Sequence, residues 1–208
     1  MDFTTLGLFL LATITLNLTP GPDMLYVIAR SVGQGRRAGV VSALGIGTGT
    51  LVHMFAVALG LATLLRSVPV AYDAVKYVGA AYLLYLGVRM WLSKDHVEQD
   101  VRLRRESYGR IYGQGIVTNV LNPKVAIFFL AFVPQFVDLQ RGPLFWQVIF
   151  LGLLFDTSGT IVNTLVALLS GSVGNRLRSN VRLARFQRRF TGTVFIALAA
   201  RLAIPDQQ

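Results

Sequence analysis

Four ionisable side chains, Asp23, His53, Lys124 and Asp156, stand inside stretches that are otherwise apolar and long enough to cross a bilayer. At a bilayer centre such a side chain costs roughly 2.5–3.5 kcal/mol on insertion scales, so each is retained for function or is paired. Asp156 is suited to proton coupling, because a desolvated carboxylate can take up and release a proton near neutrality. Its plainer alternative is a static ion pair with Lys124. His53 is a second proton-coupling candidate, set against a role as a hydrogen-bonded packing residue. Counted from the span ends, His53, Lys124 and Asp156 fall near mid-membrane and Asp23 lies nearer the cytoplasmic face.

Asp23 and Lys124 sit beside helix-breaking residues, in TLNLTPGPDMLYVIAR (15–30) and TNVLNPKVAIFF (118–129). A helical proline removes one donor and frees the carbonyl four residues earlier. Pro20 and Pro22 would free those of Leu16 and Leu18, and Pro123 that of Asn119. In hydrocarbon these groups need a partner, so the breaks must face protein or a wet cavity. Gly21 gives backbone freedom between the prolines, and Pro22 suits the first position of a new half-helix. Asp23 then lies in its first turn, facing free N–H groups and the positive dipole end. Asn122 can cap the second half-helix, with Pro123 following. Half-helix N-termini accept a carboxylate, while freed carbonyls and Asp23 suit an ammonium. The expected substrate-binding set is therefore Pro20, Gly21, Pro22, Asp23, Asn119, Asn122, Pro123 and Lys124. The ligand it fits is a small zwitterion rather than a bulky drug or a metal ion. The alternative is a pair of structural kinks, with Asp23 only a capping acid.

The elements that must hold these residues are membrane spans. Of 208 residues 53% are apolar and 14% charged, whereas a soluble domain carries roughly 25% charged residues. Apolar runs fall at roughly 3–28, 38–65, 69–92, 111–137, 144–171 and 187–204. No basic residue precedes Phe3, so the first run is expected to be a retained span and not a cleaved signal. The chain has no cysteine and two histidines, which disfavours a disulfide framework or a metal site, and no cofactor is expected. Net charge +10 raises nucleic acid as a partner. The charges sit in short loops between apolar runs, as topogenic signals do, and nucleic acid is set aside for the lipid bilayer.

Lys and Arg bias orients the spans. One side holds Arg30, Arg36, Arg37, Arg89, Lys94, Arg102, Arg104, Arg105, Arg110, Arg176, Arg178, Arg182, Arg185, Arg188 and Arg189. The other holds Arg66, Lys76, Arg141 and Arg201. Fifteen against four makes the first side cytoplasmic and puts both termini outside.

The two halves of the chain match in order. TLNLTP (15–20) aligns with TNVLNP (118–123), GIGTGT (45–50) with GLLFDTSGT (152–160), and GAAYLLYLG (79–87) with GTVFIALAA (192–200). An odd number of spans per half inverts their orientation, the plan of many secondary transporters, whose sites lie at broken helices. The expected fold is one all-α membrane domain of six transmembrane helices, an inverted 3+3 repeat with helices 1 and 4 broken. Repeat 1 covers about 1–92, a cytoplasmic loop about 93–110 and repeat 2 about 111–208. GIGTG lies inside a span with no preceding strand, which excludes a nucleotide loop. Asp156-Thr157-Ser158-Gly159 mimics an aspartic-protease loop, but no partner copy exists.

With these motifs placed, the chain resembles the lysine exporter (LysE/RhtB) superfamily of bacterial amino-acid exporters, nearest its homoserine/threonine-resistance branch. The resemblance spans essentially the whole chain. It rests on NLTPGPDMLYVIARSVGQGRRAGVVSALGIGTGT (17–50), YVGAAYLLYLG (77–87), YGQGIVTNVLNPKVAIFFLAFVPQFV (112–137) and GTVFIALAARLAI (192–204). It implies six spans in a bacterial inner membrane and efflux of amino acids or close derivatives driven by the proton gradient. It also makes Pro20, Gly21, Pro22, Asn122 and Pro123 the signature breaks, and an acidic residue such as Asp156 fits its fifth span.

The expectation is thus a secondary exporter, not an enzyme, whose partners are a small zwitterion and protons. The particular amino acid and a homo-oligomeric state are left open. Rival readings are an exporter of a lactone, nucleobase or cation, and a non-transporting membrane protein. An intramembrane hydrolase would need Asp23 and Asp156 to pair. A structural subunit would not explain paired breaks at membrane depth.

Overall fold

The computed structural model describes residues 3–67, 105–138, 140 and 142–178, with isolated positions between 77 and 92 and between 189 and 200. Every regular element among them is helical. Helix α1, Phe3–Leu18, carries no charged residue and is apolar all round, as a lipid-embedded helix must be. It stops at Thr19-Pro20-Gly21, and α2, Pro22–Gln34, resumes at an angle of 47°. Gly35 then turns the chain with φ +92°, a conformation open to glycine without penalty. Helix α3, Arg36–Ser67, follows, and its Arg36–Gly60 portion is long and apolar enough to cross a membrane.

The second break has the same plan. Helix α4, Tyr108–Val120, gives way at Leu121-Asn122 to the short α5, Pro123–Ile127. A π-helical turn, Phe128–Phe132, and a 3-10 turn, Val133–Phe136, extend α5, and this broken span bends by 50°. Helix α6, Leu144–Arg178, contains the continuous apolar stretch Leu144–Ser170. Two unbroken and two broken spans therefore correspond to four of the six expected. The expected spans at 69–92 and 187–204 lie almost wholly outside the described residues, as does most of the connecting loop.

The broken spans run antiparallel. Tyr26 and Arg30 of α2 hydrogen-bond Ile111 and Gln114 near the start of α4, while Phe9 of α1 packs on Phe132 and Phe136 at the opposite end. Lipid offers little hydrophobic drive between helices, so association rests on packing and on interhelical hydrogen bonds. Two features supply the packing. At one end the rings of Phe9, Phe128, Phe129, Phe132, Phe136 and Phe155 interlock, with Phe128 stacked on Phe155 at 4.5 Å. Between α3 and α4 the backbones themselves meet. A Cβ on Gly49 would fall 2.8 Å from that of Asn119, and one on Gly115 would fall 2.9 Å from the Ser42 carbonyl.

At the other end Gln34 hydrogen-bonds Glu106, and Ser31 donates to the Ala167 carbonyl of α6. These contacts gather Arg30, Arg36, Arg37, Arg105 and Arg110 at one end of the bundle, the end that charge bias reads as cytoplasmic.

Candidate functional site

The two breaks meet each other. Lys124, at the start of α5, extends its ammonium to the carbonyls of Leu16 (3.3 Å) and Thr19 (3.0 Å) at the end of α1. The Leu16 carbonyl is one that Pro20 frees, and it also accepts the Thr19 N–H at 3.1 Å. The carbonyl freed by Pro123, that of Asn119, accepts the Asn122 N–H at 2.9 Å and faces His53 Nε2 of α3 at 3.1 Å. A carbonyl can only accept, so this contact requires the His53 tautomer protonated on Nε2. The carbonyls of Leu16, Thr19 and Asn119 are thus met by charged or ring donors from neighbouring helices, as membrane depth demands.

Asp23 lies in the first turn of α2 and is buried. Its Oδ2 accepts from Asn119 Nδ2 at 2.8 Å; Oδ1 is buried without a hydrogen bond among the described residues, and the Asn122 amide faces the same carboxylate. Asp23 thereby meets Asn119, at the end of α4, across the two breaks. Gly21 has a role other than the one expected. Its φ of −163° is open to any residue, but a Cβ there would lie 3.1 Å from Lys124 Nζ. A side chain at this point would crowd the Lys124 ammonium and oblige it to shift by a few tenths of an ångström.

Asn122 caps α5, its Oδ1 accepting the Lys124 N–H at 3.0 Å, and Pro123 takes the first helical position. Gly21 caps α2 with no side chain at all, so the orphan N–H groups of that first turn receive no side-chain acceptor from it.

Helix α6 closes the site from the other side. Asp156 and Thr160 face Gly47 of α3, where a Cβ would fall 2.7 Å from Thr160 Oγ1 and 3.2 Å from Asp156 Oδ1. Asp156 forms no ion pair with Lys124, whose ammonium is turned to α1. Between these elements lies a cleft of about 400 Å³, its open mouth included. The first break lines it with Asn17, Thr19, Asp23 and Met24, and the second with Asn119, Lys124 and Val125. Ile46, Gly47 and Thr50 of α3 and Phe155, Asp156, Gly159, Thr160 and Asn163 of α6 complete the wall.

Of the residues singled out from sequence, Asp23, Asn119, Lys124 and Asp156 converge on this cleft. Pro20, Gly21, Pro22, Asn122 and Pro123 shape the breaks behind it. His53 is not in the lining; it holds the Asn119 carbonyl and stacks on Phe129, ring centroids 6.2 Å apart. Sequence reasoning passed over Asn17, Thr50, Thr160 and Asn163 because it considered only ionisable groups and the residues of the breaks themselves. Amides inside apolar runs were the available signal. Asn17 Nδ2, for instance, donates to the Phe155 carbonyl (3.2 Å) and to Ser158 Oγ (3.0 Å), tying α1 to α6.

Residues 14–206 match the LysE type translocator family. The chain is 30% identical over 195 residues to the homoserine/homoserine lactone efflux protein of Salmonella typhimurium, covering 94% of each. It is 29% identical over 198 residues to the leucine efflux protein of Salmonella choleraesuis, covering 94% of this chain and 92% of that one. No solved structure matches the chain. Broken apolar spans with polar groups gathered where they meet are the architecture of a multi-pass carrier, and the family match agrees with it: the chain belongs to the LysE type translocators and is a membrane translocator, not an enzyme.

Proposed function

We propose that this chain exports a small amino acid or a close derivative across the bacterial inner membrane in exchange for protons. The observation that carries this reading is the convergence of Asp23, Lys124 and Asp156 on one cleft where the two broken spans meet. Oδ1 of Asp23, which makes no hydrogen bond among the described residues, suits a substrate ammonium. The uncapped first turn of α2, with the positive end of its dipole, suits the carboxylate. The efflux activities named for the two relatives point the same way.

In this reading both termini lie outside, and the arginine-rich end of the bundle faces the cytoplasm. The halves, about 1–92 and 111–208, act as inverted repeats, which the antiparallel course of the broken spans supports. A zwitterion enters from the cytoplasm between the repeats and is held at the breaks. Rocking of one bundle against the other opens the cleft outward. Asp156 takes up a proton from outside and releases it to the cytoplasm on the return.

Counterflow of radiolabelled amino acids in proteoliposomes, with and without a pH gradient, tests this. Asp156→Asn is expected to abolish gradient-driven efflux and to leave counterflow largely intact. Unchanged gradient-driven efflux in that variant would remove Asp156 from the coupling step.

A further inference from the structure

Three asparagine amides line the cleft, and two are committed. Asn17 is spent on the Phe155 carbonyl and Ser158, and Asn119 on Asp23 and Thr50. The third, Asn163, is only 9% exposed and lines the cleft, yet among the described residues it hydrogen-bonds no protein group. Its amide atoms are not among the fully enclosed unpartnered ones, so they open to the cleft, and a ligand that covers them has to pair them. Asn163 presents both a donor and an acceptor. Asp156, Thr160 and Asn163 follow i, i+4, i+7 spacing, so they share one face of α6 and form a polar stripe along the cleft. Met24, Ile46, Val125 and Phe155 supply the apolar part of the lining.

We infer that Asn163 determines specificity by reading a hydroxyl on the substrate's side chain, which makes the favoured substrate a short neutral hydroxyamino acid and not an aliphatic one. The inference rests on the amino-acid export reading and adds to it the class of side chain. A hydroxyl donates and accepts, matching the two halves of the amide. An aliphatic side chain in the same place would leave that amide buried and unpaired, and a site built around a hydrogen bond discriminates strongly against a ligand that lacks it. Thr160, one turn away on the same face, widens the polar contact.

The test is counterflow of L-homoserine and L-leucine in proteoliposomes containing the full-length wild type, Asn163→Leu or Asn163→Ser. The wild type is expected to prefer homoserine. Asn163→Leu, which keeps the number and branching of side-chain heavy atoms, is expected to lower the homoserine-to-leucine ratio about tenfold, with leucine counterflow retained as the proof of folding. Asn163→Ser, which keeps a donor and an acceptor, is expected to keep most of the preference. A wild-type ratio in Asn163→Leu overturns the inference, as does a wild type that prefers leucine. Should Asn163→Leu move neither substrate, Asn163→Ser decides: retained preference supports the inference, and a ratio of one overturns it. A wild type that moves no amino acid removes the export reading itself, and this inference falls with it.

Discussion

At the first break three residues, Thr19, Pro20 and Gly21, separate α1 from α2; at the second, Leu121 and Asn122 separate α4 from α5. Both half-helices open on a proline and place a charged residue next, Asp23 in one and Lys124 in the other. The signs are opposite, and so are the local electrostatics. A carboxylate is favoured at the positive end of a helix dipole, whereas an ammonium is disfavoured there. Lys124 resolves the conflict by reaching to the C-terminal carbonyls of α1, where the dipole is negative. The second break is thus closed by its own asparagine cap and lends its charge to closing the first. The first keeps an uncapped helix start and a carboxylate oxygen without a hydrogen bond among the described residues. In the proposed transport, similar breaks serve as a tool in one half and a receptor in the other.

The change that most disturbs this division of labour is Lys124→Met. It removes a charged donor from two carbonyls, and hydrogen bonds to charged groups contribute about 1.5–3 kcal/mol each. It also removes the nearest cation from the surroundings of Asp23. Thermal unfolding in detergent is expected to show a Tm several degrees lower, with transport lost. Lys124→Arg should recover part of the stability, since it restores a charged donor. A Lys124→Met protein as stable as the wild type would mean that the first break closes without help from the second.

Asp23→Asn ranks next. The amide oxygen can still accept from Asn119, so stability should change by less than about 1 kcal/mol, but the charge offered to a substrate ammonium is gone. Counterflow should fall at least tenfold, chiefly through a higher KM. If Asp23 is only a capping acid, transport will survive, and the second break will have no functional contrast with the first.

The chain disclosed a good part of this arrangement in advance. Prolines at 20, 22 and 123 located both breaks, and arginine bias grouped ends that the contacts of Gln34 and Ser31 do bring together. Asn122 capping α5 followed from residue type and position. What stayed hidden depends on contacts across helices. Repeat matching set Pro123 against Pro20, but as the opening residue of a half-helix its counterpart is Pro22. Nothing local to Gly21 shows that a lysine 103 residues later fills the space beside it. Nor does the pattern around Asn163 show that its amide is the uncommitted one, because that follows from where Asn17 and Asn119 find partners.

The smallest effect is expected at Asn122→Ala, and it bears most directly on the contrast between the breaks. Replacing an N-cap asparagine by alanine typically costs about 1 kcal/mol. Asn122 Nδ2 makes no hydrogen bond among the described residues but faces the Asp23 carboxylate, so truncation forfeits the cap to the Lys124 N–H and one weaker polar contact. For a chain of this size that corresponds to a fall of roughly 2–4 °C in Tm. Substrate preference should be unchanged and counterflow should stay within about twofold of wild type, because α5 remains anchored by Lys124 on α1. The first break has no side-chain cap to lose, and its sensitivity lies in the carboxylate next to it. Should Asn122→Ala abolish counterflow as Asp23→Asn is expected to, the cap of the second break would have to be part of the binding site, and both breaks would be receptors of equal standing.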